Sequence, residues 1–352
     1  MSRPITVRTL VQGEQPPEQT AATLIAFLGV ATRSLDLALY DVRLPGAVGD
    51  AVAGALRAAK DRGVVVRIAY NGDDEPPTRR FPPPPSTAPA ILEQLGLPLK
   101  AIPGEPDLMH HKYVVRDREA VWTGSTNWTL DSWTLQENAI VTIQSGQVAE
   151  AFGRNFDELW ASERVQGSGA FDVPPVDVGG AAVRAWFCPG RGEALSHRIA
   201  KAIGSARTRV RIASPVLTAG PILGTLAEVV AEERVDIAGV CDATQILQVF
   251  QQWRQNPASA WKAPLLERVL AGAHFTGKPS APYGRGSVHD YMHAKVTVAD
   301  DTAFIGSFNL SRSGELNAEN VVEIRDAAIA TQLATFVDAL RARYPSPVLV
   351  PH

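Results

Sequence analysis

Cysteine is scarce in this sequence, and long apolar runs are missing from it. Cys188 and Cys241 are the only cysteines in 352 residues, so at most one bridge could form and a disulfide framework is excluded. No apolar stretch reaches the ~20 residues that a membrane-spanning helix needs. The residues after Met1 show no apolar signal-peptide segment. We therefore expect a cytoplasmic protein without a transmembrane segment.

A large excess of charge of one sign is also missing. The formal net charge is −3, so no global basic field attracts nucleic acid or an anionic membrane, and any site for a polyanion must be a local cleft. Hydrophobic residues make up 45% and charged residues 20% of the chain, which excludes wholesale disorder. At ~150 residues per domain, the length predicts two domains.

One sequence motif occurs twice, about half a chain length apart. Its two copies are His110, Lys112 and Asp117 followed by Gly124-Ser125-Thr126-Asn127, and His293, Lys295 and Asp300 followed by Gly306-Ser307-Phe308-Asn309. The flanks repeat as well, as short apolar strands alternating with helices. This pattern predicts an α/β fold made of two lobes related by a pseudo-two-fold axis. The Gly- and Pro-rich stretch 167–183 separates the copies, so we expect lobes over residues 1–170 and 180–352.

Two insertions distinguish the copies. Residues 76–85 include four consecutive prolines and predict a stiff surface loop. Residues 245–264 predict additional helix and carry Trp253 and Trp261. Insertions at corresponding positions commonly shape the rim of a substrate site.

The repeated residues suit a phosphodiester substrate. Side chains alternate across a strand, so His110 and Lys112 share one face while His111 points to the other. Two such hairpins facing each other supply two imidazoles, two ammonium groups and two Asn amides. Lysine and amide donors stabilise phosphoryl oxygens. One neutral His can attack phosphorus while a protonated His gives its proton to the leaving oxygen. Glu137 and Glu319 are candidates for a carboxylate on the far ring nitrogen of each His.

The double pattern H-x-K-x(4)-D followed by G-S-x-N resembles the phospholipase D superfamily, and the resemblance covers nearly the whole chain. It implies two α/β/α sandwich lobes with mixed sheets and a single active site at their interface. It also implies attack through a phosphohistidine intermediate without metal or cofactor, followed by hydrolysis or transfer to a second substrate. Both motifs lie in one chain, so an oligomer is not required for the site.

The resemblance assigns a role to each motif residue. His110 and His293 match the catalytic histidines. The positions that match the phosphate binders of the family are Lys112, Lys295, Asn127 and Asn309, and these four also match members of its catalytic set. Ser125 and Ser307 match the small polar positions beside them, so we expect both serines to bind phosphate as well. Asp117 and Asp300 match aspartates that are structural in the family. Glu137 and Glu319 match the acids that orient each His.

The two copies are not interchangeable. The segment from Asp300 to Gly306 is one residue shorter than its counterpart, and Leu135 stands where the second copy has Asn317. In two-lobed members of the family the N-terminal His usually attacks. We therefore assign His110 as the nucleophile, oriented by Glu137, and His293 as the general acid.

The motifs predict the reaction and leave the substrate open. A nuclease acting on DNA or RNA is our first hypothesis, because the lobes are compact and no secretion signal or membrane anchor is visible. A phospholipase D or phosphatidyltransferase acting on phospholipid head groups is the alternative. A binding protein that keeps the fold without turnover is the third, and the intact His-Lys pairs speak against it. The other histidines, among them His289, are expected at surface or loop positions without metal spacing.

Overall fold

The computed structural model describes residues 3–72, 92–282 and 287–348. The proline-rich insertion at residues 76–85 lies outside these described residues. Two large mixed sheets carry the fold, and helices cover them. The predicted α/β architecture is therefore confirmed.

The first lobe is the part of the chain from β1 to α4. Its elements are β1 Ile5–Leu10, α1 Pro17–Gly29, β2 Ser34–Leu39, β3 Val42–Arg43, α2 Gly46–Asp61, β4 Val65–Gly72, β5 Leu99–Pro103, β6 Lys112–Arg116, β7 Ala120–Gly124, β8 Trp128–Thr129, α3 Leu130–Thr134, β9 Asn138–Gln144 and α4 Gly146–Ser162. Seven strands form one sheet in the order β1-β9-β7-β6-β2-β4-β5, and β3 pairs with β8 separately. The β2-β4-β5 part is parallel and the remainder antiparallel.

The second lobe runs from β10 to α11. Its elements are β10 Val176–Val178, β11 Ala181–Phe187, α5 Gly192–Ser205, β12 Arg209–Ala213, α6 Gly220–Glu232, β13 Asp236–Asp242, α7 Ala243–Arg254, α8 Pro257–Ala260, α9 Ala263–Gly272, β14 Thr276–Lys278, β15 Val296–Ala299, β16 Thr302–Gly306, α10 Arg312–Leu316, β17 Asn320–Arg325 and α11 Ala327–Arg343. Its eight-stranded sheet has the order β10-β11-β17-β16-β15-β12-β13-β14. From β11 onward this order matches the first sheet strand for strand, so the repeated motif corresponds to a repeated lobe.

The central strands are buried on both faces. In β6, Tyr113 and Val115 pack into the core between the two sheets, whereas Val114 between them packs against α1 and α2 on the outer face. Helices α4 and α11 lie in the shared central core, to which they contribute Phe152 and Leu333. Each fully buried side chain of this size stabilises the fold by about 1.5–3 kcal/mol. The two lobes therefore share one apolar layer beside the motif strands.

The motif aspartates hold the hairpin turns. Asp117 lies in a three-residue turn between β6 and β7, and Asp300 in a two-residue turn between β15 and β16, which is the tighter turn predicted from the spacing. Asp117 accepts hydrogen bonds from the amides of Arg33 at 2.6 Å and Ser34 at 2.8 Å. Asp300 accepts from the amide of Thr208 at 2.9 Å in the same manner. Both carboxylates thus tie their turn to the start of the neighbouring strand. Burial raises the pKa of each carboxyl, but the hydrogen bonds together outweigh it and lower the pKa, that of Asp300 to about 2.

The second insertion is helical, as its sequence predicts. Residues 245–264 include most of α7, all of α8 and the first residues of α9. Trp253 is buried against the second lobe, whereas Trp261 is 58% exposed. The insertion therefore adds a short helical layer beside β13 and β14.

Candidate functional site

The two lobes exchange backbone hydrogen bonds directly beside the motif histidines. His110 donates its amide hydrogen to the carbonyl of Ala318 at 2.9 Å, and His293 donates to the carbonyl of Glu137 at 3.2 Å. The sequence predicted that each His lies within its strand. Instead β6 begins at Lys112 and β15 at Val296, because the preceding backbone pairs with the opposite lobe. Each His is thus held beside residues that follow the other copy of the motif.

His110 is oriented by an acid of the second lobe. Its Nδ1 lies 2.8 Å from Oε2 of Glu319, and both side chains are buried. This corrects the sequence-based pairing of His110 with Glu137. The reason is the crossed backbone pairing, which spacing along the chain does not reveal. Asn317 donates to the other oxygen of Glu319 at 3.3 Å and so holds the carboxylate in place.

His293 is oriented by an amide of the first lobe. Its Nδ1 lies 3.0 Å from Oδ1 of Asn138. The Nδ2 of Asn138 donates to the carbonyl of Ser132 at 2.9 Å, so its oxygen is the atom that faces the imidazole. The hydroxyl of Ser125 donates to the same oxygen at 2.7 Å. His293 therefore donates its Nδ1 hydrogen to a neutral oxygen, whereas His110 faces a carboxylate.

Glu137 does not contact either motif imidazole through its carboxylate. It forms a buried ion pair with Lys278, whose Nζ lies 2.7 Å from Oε2 and 2.7 Å from the carbonyl of Leu135. Tyr344 donates its hydroxyl hydrogen to Oε1 at 2.5 Å. The prediction that Glu137 orients a histidine through its side chain is wrong, because Lys278 and Tyr344 occupy both oxygens.

The motif lysines lie beside the histidines and are almost fully buried. Lys112 donates to the carbonyl of His110 at 2.7 Å, and Lys295 donates to the carbonyl of His293 at 2.6 Å. Burial lowers the pKa of Lys112 to about 7, although Glu319 opposes the change. Burial and the charge of Lys112 lower the pKa of Lys295 well below its ordinary value. Two neighbouring lysine ammonium groups that are shielded from water would be stabilised by an anionic ligand.

The motif asparagines open onto a cavity of about 350 Å³ that both histidines also line. The side-chain amides of Asn127 and Asn309 have no hydrogen-bond partner within the part of the chain that the structure describes, and their Oδ1 atoms are buried. A buried amide without a partner costs free energy, which a bound ligand with polar oxygens would recover. Two imidazoles and two unpaired amides thus converge on one space.

The motif serines lie in the protein interior next to the site. Ser125 contacts Asn138 and accepts a hydrogen bond from the amide of Ala139 at 3.0 Å, and Ser307 accepts one from the amide of Asn320 at 3.0 Å. Both serines are fully buried, and neither lines the cavity. This corrects the expectation that they bind phosphate, because their hydroxyls already join neighbouring strands.

The surroundings of both motif histidines favour the neutral imidazole. Burial is the main cause that lowers the pKa of His110 and His293 well below the ordinary value, and Lys112 and Lys295 lower both further. Burial also raises the pKa of Glu319 to about 7. A bound anion between the imidazoles would favour their protonated forms. The site can therefore hold one neutral and one protonated imidazole once an anionic ligand is present.

Several residues of the site escaped the sequence analysis. Asn138 follows Glu137 as Asn320 follows Glu319, so the repeated Glu-Asn pair was a usable signal. Lys278 gives no local signal, because it ends a short strand outside both motifs. His289 was expected at the surface or in a loop, but it is 9% exposed and lines the cavity.

His111 lies away from the cavity, as strand alternation predicts. It is fully buried, and its Nδ1 lies 3.2 Å from Oδ1 of Asn320. Across residues 3–72, 92–282 and 287–348, no group of three or more His, Cys, Asp or Glu side chains is arranged to hold a metal ion. In the same ranges, no helix has the length and apolar character needed to cross a membrane.

Comparison with known proteins gives matches over both lobes. A family model described as "Cardiolipin synthase, PLD-like domain" matches residues 24–160 and again residues 199–341. Mitochondrial cardiolipin hydrolase from Xenopus laevis is 28% identical over 137 residues, which are 39% of this chain and 59% of that protein. The chain spans between about half and three fifths of the length of the curated relatives it matches, from 51% to 59%.

Two solved structures are also similar. Phosphatidylserine synthase from Haemophilus influenzae Rd KW20 has a TM-score of 0.64 at 11% identity, covering 94% of this chain and 85% of that chain. Nuc from Salmonella typhimurium, a phospholipase D family member, is 26% identical over 45% of this chain and 95% of that chain, with a TM-score of 0.34. The first likeness extends over both lobes and supports the two-lobed fold.

Proposed function

Because the chain belongs to the phospholipase D superfamily, we propose that it hydrolyses phosphodiester bonds without a metal ion, through a phosphohistidine intermediate on His110. The observation that carries the proposal is the pair of imidazoles lining one cavity with different partners on Nδ1. His110 faces the carboxylate of Glu319, whereas His293 faces the amide oxygen of Asn138. This difference supports a nucleophile and a general acid in fixed places.

In the first step, the Nε2 lone pair of His110 attacks phosphorus. The bond between phosphorus and the leaving oxygen breaks, and His293 gives its Nε2 proton to that oxygen, so the alcohol leaves neutral. The imidazole of His110 gains positive charge as it bonds to phosphorus. The carboxylate of Glu319 at Nδ1 stabilises that charge, as carboxylates do beside other catalytic imidazoles.

In the second step, water attacks the phosphoryl group on the side opposite His110. His293, now neutral, takes a proton from the water, and the bond between phosphorus and Nε2 breaks. The products are a phosphomonoester and the resting pair of histidines. An amide on Nδ1 suits His293, because it fixes the ring without holding a proton on Nε2 as strongly as a carboxylate would.

The lysines and asparagines supply the charge for the phosphoryl oxygens in this scheme. Lys112 and Lys295 are desolvated cations whose charge an anion would stabilise, and Asn127 and Asn309 have amides free to bind oxygen. Electrostatic stabilisation of this type is worth most in a site that excludes water. No step requires a bound metal ion, so we expect hydrolysis to persist in EDTA.

We propose nucleic acid as the substrate, DNA or RNA, with a phospholipid head group as the second candidate. The lipid-related names of the matched family model and of the Xenopus relative favour the second candidate. The glutamine side chains that line the cavity, Gln245, Gln248 and Gln252, favour the first. We also propose lobes of residues 1–170 and 180–352 as separate units that need each other for one site within a single chain. The free buried thiols of Cys188 and Cys241 fit a reducing compartment such as the cytoplasm.

The test is hydrolysis of bis-p-nitrophenyl phosphate by the purified chain in EDTA, beside the His110→Ala variant. We expect activity in EDTA that His110→Ala abolishes. Activity that disappears on chelation and returns with a divalent ion would contradict the proposal. A substrate panel of single- and double-stranded DNA, RNA and phosphatidylcholine vesicles then ranks the two substrate classes.

A further inference from the structure

One wall of the cavity is a row of glutamine side chains on helix α7. Gln245, Gln248 and Gln252 are spaced three and four residues apart, so they share one face of the helix, and all three line the cavity that holds the motif histidines. Their side-chain amides have no hydrogen-bond partner in the described ranges of the chain. Three neighbouring amides thus offer donors and acceptors to a ligand.

The packing of α7 fixes this face toward the cavity. The other face buries Ile246, Phe250 and Trp253 in the core of the second lobe. Asp242 caps the helix by accepting from the amide of Gln245 at 2.9 Å. Its second carboxylate oxygen accepts from the amide of Met292 at 3.0 Å, one residue before His293. The glutamine row is therefore held at a set position relative to the reacting imidazole.

Other polar side chains line the cavity beside a few apolar ones, among them Val216 and Val249. Thr218, Ser311 and Ser313 of the second lobe line the same cavity, the last two at the start of α10. The cavity volume of about 350 Å³ falls within the ~300–1,000 Å³ range of small-molecule sites. An acyl chain in this space would desolvate the amides and hydroxyls without replacing their hydrogen bonds, at about 1–3 kcal/mol for each. The wall therefore suits a ligand whose edges carry donors and acceptors.

We propose that the glutamine row on α7 is a nucleoside subsite, which binds the sugar and base on one side of the scissile phosphate. Side-chain amides of Gln pair with the adjacent donor and acceptor atoms on base edges, and such pairs discriminate among bases. The inference rests on the proposed phosphodiesterase function and names its substrate class. It makes Gln245, Gln248 and Gln252 determinants of specificity rather than of the chemical step.

The test compares a triple variant, Gln245→Ala/Gln248→Ala/Gln252→Ala, with the matched control Gln251→Ala/Gln255→Ala. Gln251 lies in α7 and Gln255 directly follows it, and both are exposed and do not line the cavity. The readouts are kcat/KM for a single-stranded oligonucleotide, for bis-p-nitrophenyl phosphate, and for vesicles of phosphatidylglycerol in phosphatidylcholine. Single variants at Gln248 and Gln252 replace the triple variant if it does not fold.

We expect the ratio of kcat/KM on oligonucleotide to kcat/KM on bis-p-nitrophenyl phosphate to fall by about 30-fold or more in the triple variant, since three hydrogen bonds are lost. The control should keep the wild-type ratio. Equal losses on both substrates, or no loss, would overturn the subsite. So would a wild-type chain that cleaves only the vesicles.

The proposed function fails by a different observation. It fails if the wild-type chain does not hydrolyse bis-p-nitrophenyl phosphate in EDTA, or if His110→Ala retains that activity. A chain that hydrolyses bis-p-nitrophenyl phosphate through His110 but does not cleave oligonucleotides keeps the proposed chemistry and loses the nucleoside subsite.

Discussion

The Nδ1 atom of His110 lies 2.8 Å from Oε2 of Glu319, and these two residues belong to different lobes. The equivalent contact of His293 is made by the amide oxygen of Asn138, while Glu137 is held by Lys278. The pseudo-two-fold symmetry of the fold is thus broken at the atoms that control proton positions. One imidazole has a carboxylate to balance a positive charge, and the other has none.

Replacing Glu319 should therefore impair the chemical step. We expect Glu319→Gln to lower kcat on bis-p-nitrophenyl phosphate by roughly 10²–10⁴-fold, as losing the carboxylate of a His-carboxylate pair does elsewhere. The shape of the amide matches the carboxylate, so the fold should remain. Steady-state kinetics with a thermal unfolding curve of the same sample checks both points. A variant with near wild-type kcat would mean that Glu319 does not support the nucleophile.

The sequence predicted most of the fold, because local patterns determine it. Alternation of strands and helices and the duplicated motif are sufficient to predict two equivalent α/β lobes. The shorter second turn followed from the spacing of Asp300 and Gly306. These features depend on residues that are close together in the sequence, and the structure confirms them.

The pairing of acids and histidines depends on how the lobes dock, and no spacing along the chain records it. Glu137 and Glu319 occupy equivalent positions in the two copies, yet only Glu319 reaches an imidazole. In the sequence, Leu135 at the position equivalent to Asn317 already showed that the two copies differ beside the Glu, but it did not show which acid contacts a histidine. In the structure, Asn317 holds Glu319, whereas the carbonyl of Leu135 holds Lys278, which binds Glu137.

The Glu137–Lys278 ion pair should affect stability more than chemistry. Both side chains are buried, so Glu137→Gln leaves the Lys278 ammonium without its charge partner, and we expect the free energy of unfolding to fall by about 3–5 kcal/mol. Urea denaturation measures this change. The double variant Glu137→Gln/Lys278→Met removes both charges and should recover most of the loss. If the double variant is as unstable as the sum of Glu137→Gln and Lys278→Met alone, the two residues are not coupled.

The dependence of kcat/KM on pH should be bell-shaped. Glu319 must be ionised, and burial raises its pKa to about 7, so activity should fall as the pH drops below that value. Lys112, Lys295 and the general acid His293 must be protonated, and burial lowers the pKa of all three, that of Lys112 to about 7, so activity should fall as the pH rises. Lys112→Arg keeps its charge at all these pH values, so it should remove one of the three groups that set the alkaline limb and change the shape of that limb. The exposed Lys201→Arg is the control, and a wild-type profile flat from pH 6 to pH 9 would refute this assignment.

The two histidines should differ in their need for a good leaving group. p-Nitrophenolate departs without much proton donation, so His293→Ala should still form a phosphoryl adduct on His110 with bis-p-nitrophenyl phosphate. Hydrolysis of that adduct should be slow, because the attacking water lacks its general base. With an alkyl leaving group the same variant should form no adduct. His110→Ala should form none with either substrate. Rapid-quench mass spectrometry of the intact chain and of its peptides measures the adduct and locates it. An adduct on His293 in the His110→Ala chain would reverse the two roles, and the carboxylate of Glu319 would then have to serve the general acid instead.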